Sequence, residues 1–143
     1  MPVCHKHRLA FCHIPRTGGV SVCNGLELEI VDKHFPASWY RKNFPNYTLF
    51  TIVRPYEERI KSALGWKIPE NRKHEADTFP LLVELIKQRG FDNSGLMVKP
   101  NEYFLDCDVD FVIRYEHLQN DLDKMLEQLG LKKVKLIRCN SFR

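Results

Sequence analysis

The sequence has no long apolar run, no low-complexity tract, no internal repeat and no C-x-x-C pair. No stretch approaches the ~20 apolar residues that a membrane-spanning helix needs, so no membrane span is expected. The first residues, Met1 to Arg8, are polar and basic, and no apolar h-region follows them. No signal peptide is therefore read, and the expected location is cytoplasmic. The five cysteines are scattered and odd in number, which favours free thiols in a reducing compartment. Cys4, His5, His7, Cys12 and His13 match no standard zinc spacing, and on a strand Cys12 and His13 point to opposite faces. No metal site is expected. A net charge of +4 fits an anionic ligand. With no dense basic stripe interleaved with aromatics, it does not indicate nucleic acid. Two nucleotide signatures are also missing: neither G-x-x-x-x-G-K-[ST] nor G-x-G-x-x-G occurs.

What is present is a glycine turn between two kinds of periodicity. Phe11-Cys12-His13-Ile14-Pro15-Arg16-Thr17-Gly18-Gly19-Val20-Ser21 reads as a short buried strand, a turn and the opening of a helix. That arrangement aims backbone N–H groups at one point and adds a cation, Arg16, and two hydroxyls, Thr17 and Ser21. It suits a phosphate or sulfate group, although a Gly-Gly turn alone is equally simple turn chemistry. A second segment, Leu49 to Ala63, runs from an apolar strand to Arg54 at its carboxyl end. Pro55 then starts a helix, where proline is tolerated. Arg59 and Ser62 share one face of that helix. Arginine suits bidentate phosphate contact. The plainer alternative is a solvated amphipathic helix with Arg59 paired to a glutamate.

The remaining pattern alternates strands and helices. Strands are expected over 8–14, 47–54 and 109–114, with a short one at 133–138. Helices are expected over 19–28, 37–44, 56–66, 79–89 and 117–129, the last stopped by Gly130, with one helical turn over 101–105. Residues 29–35 read as an extended passage, and 67–77 and 92–99 as irregular. This order implies an α/β layered fold with a mainly parallel sheet. A chain of 143 residues buries one core, so a single domain over 1–143 is expected.

The two segments together resemble the sulfotransferases that use 3′-phosphoadenosine 5′-phosphosulfate (PAPS). The likeness is greatest to the carbohydrate branch, with the heparan sulfate 2-O- and 6-O-sulfotransferases and small microbial and viral relatives. His13-Ile14-Pro15-Arg16-Thr17-Gly18-Gly19-Val20-Ser21 is similar to that family's 5′-phosphosulfate loop. Val53-Arg54-Pro55-Tyr56-Glu57-Glu58-Arg59-Ile60-Lys61-Ser62 is similar to its 3′-phosphate motif. Val109 to Asp121 resembles a late strand and helix, and Asn140-Ser141-Phe142-Arg143 a closing loop. The departures are Arg16 in place of lysine and a proline one position early, after Arg54.

The resemblance implies a P-loop-like three-layer α/β/α core, here a minimal one, and a cytoplasmic protein of microbial or viral origin. It implies transfer of a sulfuryl group from PAPS to a carbohydrate hydroxyl, leaving PAP, with no metal. The cosubstrate would be held by Arg16, Thr17, Gly18, Gly19, Val20, Ser21, Arg54 and Ser62. Arg138 or Arg143 would close over the nucleotide. Arg16 would stabilise the leaving oxygen. It would not donate a proton, because arginine keeps its own. His34, in His34-Phe35-Pro36-Ala37-Ser38, would be the general base, with a surface loop histidine as the alternative. His13 is read as structural. Trp39, Tyr40 and Trp66 are candidates to line a sugar site, and Arg114 and Glu116 are read as a structural pair on one strand face. The competing functions are a non-catalytic PAP-binding module of the same fold and an atypical P-loop kinase. No nucleic-acid or membrane partner is expected.

Overall fold

The computed structural model describes residues 3–17, 22–23, 25–26, 28, 34–64 and 99–136. Four strands form one mixed sheet in the order β1 (Val3–Cys4), β2 (Leu9–Cys12), β3 (Thr48–Val53) and β4 (Phe111–Arg114). β1 runs antiparallel to β2, whereas β2–β3 and β3–β4 are parallel. The helices are α1 (Ala37–Asn43), α2 (Tyr56–Leu64), the single turn α3 (Asn101–Phe104) and α4 (Leu118–Gln128). A 3-10 turn at Tyr115–His117 leads into α4. Val22, Cys23 and Gly25 are also helical, and Leu26 N–H donates to the Val22 carbonyl at 2.9 Å.

Strand alternation sends side chains to two cores. Leu9, Phe11, Phe50, Ile52 and Ile113 pack with Val22, Cys23, Leu26 and the α4 residues Leu122, Met125 and Leu126. Ala10, Cys12 and Leu49 pack on the other side with Ala37 and Tyr40 of α1 and Phe104 of α3. Helices therefore cover both faces of a mostly parallel sheet, as the α/β alternation implied. Phe11 and Phe50 stack across the β2–β3 pair with ring centroids 4.8 Å apart. Among the described residues no helix is long and apolar enough to cross a membrane.

The register brings the carboxyl ends of the parallel strands to one edge. Cys12 pairs with Thr51, and Val53 pairs with Arg114. The segments that leave this edge are His13–Thr17, Arg54 and the 3-10 turn at Tyr115. α4 stops at Gly130, which adopts φ +69°. Gly130 N–H donates to the Glu127 carbonyl, and Leu131 N–H donates to the Leu126 carbonyl at 2.8 Å. These two bonds satisfy carbonyls that the helix end would otherwise leave open.

Three expectations are corrected. β1 was not foreseen; it is joined to β2 through a turn in which Arg8 takes φ 53°. Residues 133–136 form no strand. The Gln119 side chain holds them instead, donating to the Val134 carbonyl and accepting from Leu136 N–H, both at 2.8 Å. Arg114 does not pair with Glu116. The strand ends at Arg114, so the two residues share no strand face, and Arg114 makes a forked contact with Asp121 in the first turn of α4 at 3.0 and 3.2 Å. The expected helix at 79–89 and the rest of 65–98 lie outside the described residues.

Candidate functional site

The turn after β2 is shaped by its own side chains. Ile14 and Pro15 are buried, and Arg16 holds a left-handed backbone at φ 63°. That conformation costs an L-residue about 1 kcal/mol, and such strain persists where surrounding structure enforces it. One enforcing contact is visible: Thr17 Oγ1 donates to the Ile14 carbonyl at 2.7 Å, and Thr17 is fully buried. The only hydroxyl proton of Thr17 is thus turned inward and fixes the turn. Gly18, Gly19, Val20 and Ser21 lie outside the described residues, as do Trp66, Arg138 and Arg143.

Arg54 joins this turn to the neighbouring strand end. Its Nη1 donates to the Arg16 carbonyl at 3.2 Å, and its guanidinium lies 4.0 Å from the centre of the Tyr115 ring. Its Nε is buried without a hydrogen-bond partner, and Glu58 Oε1 approaches it only to 3.9 Å. Asn101 Nδ2 donates to the Arg54 carbonyl at 3.1 Å, which fixes the backbone from which the side chain leaves. Ser62 lies in α2, as expected, but its side chain is outside the described part of the structure.

Arg59 is not solvated, and among the described residues it forms no ion pair with a glutamate. It is 1% exposed and donates through both Nη atoms to the Lys99 carbonyl, at 3.0 and 2.7 Å. Burial lowers its pKa to about 10, opposed by Tyr56 and by the carboxylate of Glu102 and reinforced by the charge of Arg54. The plain amphipathic helix is therefore corrected, because the helix turns this face into the protein.

His34 comes to the same edge. Its Nδ1 lies 2.9 Å from the His13 carbonyl. A carbonyl only accepts, so Nδ1 carries a proton in this contact. The His13 and His34 rings are 4.7 Å apart, and His13 also stacks on Phe11 at 5.1 Å. Burial, with His34 beside it, pushes the His13 pKa down to about 3, so His13 is neutral and serves packing. Cys12, one residue earlier, is buried between the Phe35 and Phe104 carbonyls at 3.7 and 3.6 Å. Burial raises its pKa to about 12, so it stays a thiol and is no nucleophile. Of the aromatic candidates, Tyr40 is buried in the core. Trp39 is half-buried and stacked on Phe35 with centroids 4.1 Å apart.

The structure thus brings together Arg16, Thr17, Arg54 and His34 at one strand edge, and adds Tyr115 and Asn101, which sequence reasoning missed. The missed signal was topological, since Tyr115 follows the third parallel strand and the carboxyl ends of such strands share an edge. A separate depression of about 460 Å³ lies at the opposite strand ends, beside Thr48 and Phe111. Its one cation, Arg41, is committed to Asp110 and to the Asp108 carbonyl. The donor set at the Arg54 edge is compatible with a phosphate-bearing cosubstrate: two arginines meet at one strained turn, and Arg54 Nε has no hydrogen-bond partner among the described residues. No family model, no curated protein and no solved structure matches the chain.

Proposed function

We propose that the chain is a PAPS-dependent sulfotransferase acting on a carbohydrate hydroxyl. The observation that carries this reading is the bond between Arg54 and the Arg16 carbonyl. It joins the segment resembling the 5′-phosphosulfate loop to the segment resembling the 3′-phosphate motif, so one ligand with two phosphate groups would meet both. The P-loop-like three-layer core belongs to the same proposal.

In this reading Arg54 and Ser62 bind the 3′-phosphate. Arg16 and the backbone of residues 17–21 bind the 5′-phosphosulfate. His34 Nε2 takes the proton of the acceptor hydroxyl as its oxygen attacks sulfur, while Nδ1–H stays on the His13 carbonyl and holds the tautomer. The bond from sulfur to the bridging oxygen breaks, and the negative charge develops on the 5′-phosphate of PAP. Arg16 stabilises that charge as a fixed cation, which needs no proton transfer. By analogy with phosphoryl transfer the transition state is loose, so positioned charge matters more than nucleophile strength. Half-buried Trp39 offers a ring to the apolar face of a sugar. The second reading, a PAP-binding module without turnover, is favoured by one observation, the arginine at position 16 where proton donation is lost.

The test is calorimetric titration with PAP, beside ADP and ATP with Mg²⁺. Metal-independent PAP binding that is lost in Arg54→Ala, with its melting temperature checked, supports the site. Turnover of PAPS over an acceptor panel then separates enzyme from binding module. A folded protein that does not bind PAP overturns both readings, and preference for ATP with Mg²⁺ would select a kinase.

A further inference from the structure

Helix α1 is seven residues long and begins three residues after His34. A helix that short is not stable alone, and its first N–H groups need partners. Pro36 stands at its N-cap position and supplies no side-chain cap, and its first turn holds no acidic residue. The cap comes instead from Asp106, 68 residues away: Oδ1 accepts the Ser38 N–H at 2.9 Å, and Oδ2 accepts the Ser38 hydroxyl. At the other end of α1, Arg41 donates to the Asp108 carbonyl and to Asp110 Oδ1, both at 3.1 Å. Asp110 in turn accepts the Leu49 N–H of β3 at 2.8 Å. Residues 106–110 thus grip both ends of α1. The link from α1 back to His34 is stiff. Proline fixes its own φ, here −70° at Pro36. The Phe35 ring stacks on Trp39 of α1 at 4.1 Å, and the Phe35 carbonyl accepts the Cys12 thiol at 3.7 Å. The gripping segment is also the one that starts at α3, where Asn101 holds the Arg54 carbonyl.

We propose that Asp106 is a positioning residue for His34. By capping α1 from the segment that also holds Arg54, it orients the imidazole at the strand edge, with Nδ1 against the His13 carbonyl. Asp106 acts through Ser38, Pro36 and Phe35 and not on reacting atoms. The consequence for turnover rests on the reading of His34 as the general base; the positioning of the ring does not. Asp106 and Ser38 are both exposed, so replacing either leaves no cavity in the core.

The experiment reads the His34 ring by heteronuclear NMR at about pH 8, above the ordinary histidine pKa, with PAP affinity and PAPS turnover measured on the same preparations. The proteins are wild type, Asp106→Ala, Asp106→Asn, Ser38→Ala and Gly130→Ala. In wild type the neutral ring should carry its proton on Nδ1. Asp106→Ala removes the cap and should move the ring toward a mixture of the two tautomers. Its kcat should fall about tenfold while PAP affinity stays within about twofold, since a small misplacement is enough to slow a reaction by that much. Asp106→Asn keeps an acceptor for the Ser38 N–H and gains a donor for Ser38 Oγ, so it should restore the tautomer and most of kcat. Gly130→Ala loosens the protein beyond the carboxyl end of α4 and should leave the His34 signals unchanged, which separates positioning from general loss of stability. Ser38→Ala removes one of the two bonds and should shift the ring the same way by less; it carries the test if Asp106→Ala does not fold. A wild-type tautomer in folded Asp106→Ala overturns the proposal, as does an equal shift in Gly130→Ala or a failed rescue by Asn. Wild type that neither binds PAP nor turns over PAPS is a separate outcome: it removes the sulfotransferase reading, and the ring tautomer still decides the role of Asp106.

Discussion

Replacing Tyr115 tests whether the Arg54 guanidinium is held ready or arrives with the ligand. The Arg54 guanidinium lies 4.0 Å from the Tyr115 ring centre, and its side chain is only 17% exposed. Cation–ring attraction is about 0.5–1 kcal/mol when exposed and about 2 when desolvated, so this shielded pair belongs near ~1–2 kcal/mol. Without the ring, the closest competitor is Glu58, whose carboxylate already stands 3.9 Å from Nε. Tyr115→Leu should release the guanidinium toward Glu58 and weaken PAP binding about 5- to 30-fold. Tyr115→Phe keeps the ring and should stay within about twofold. Adding Glu58→Gln to Tyr115→Leu should recover part of the loss. Calorimetry measures the affinities, and thermal melting confirms that each variant is folded. Folded Tyr115→Leu with wild-type affinity would refute the reasoning, and so would a Phe variant as weak as the Leu variant.

His34→Ala should lower kcat by about 10²- to 10⁴-fold with little change in PAP affinity, checked by turnover and titration on one preparation. Asp121 is held down to a pKa of about 2 by the Arg114 side chain and backbone N–H. Its stabilising contribution is therefore complete above the unfolded carboxylate value near 4 and lost as pH falls through about 2. Asp121→Asn should melt below wild type at pH 7, and the gap should close between about pH 4 and pH 2 in melting curves. Gly130→Ala forces a side chain into φ +69° with no neighbour within 4 Å to reward it, and should cost about 1 kcal/mol in urea unfolding.

β3 and α2 were legible because an apolar run, an arginine and a proline mark their junction in sequence. α1 and α4 were legible from helical periodicity and, for α4, from Gly130. β1 was not, since two residues carry no period. The segment at 133–136 looked like a strand from composition, but its backbone groups are taken by Gln119, a pairing that no local pattern reveals. Within the site, Arg16 and Arg54 stood out by residue type and by their places at the turn and the strand end, and His34 through the family resemblance. Tyr115 and Asn101 did not, because their nearness to Arg54 depends on strand register and on where the chain returns at Lys99. The burial of Arg59 likewise needs α3 in place, since Phe104 and the Lys99 carbonyl surround it.

The left-handed backbone at Arg16 sets two kinds of selection against each other. In a saturation library screened for folding alone, position 16 should drift toward glycine and asparagine, which enter that conformation cheaply. Screened for turnover, the same library should return a cation. The gap between the two winners would measure how strongly chemistry, rather than conformation, determines the residue at the centre of the turn.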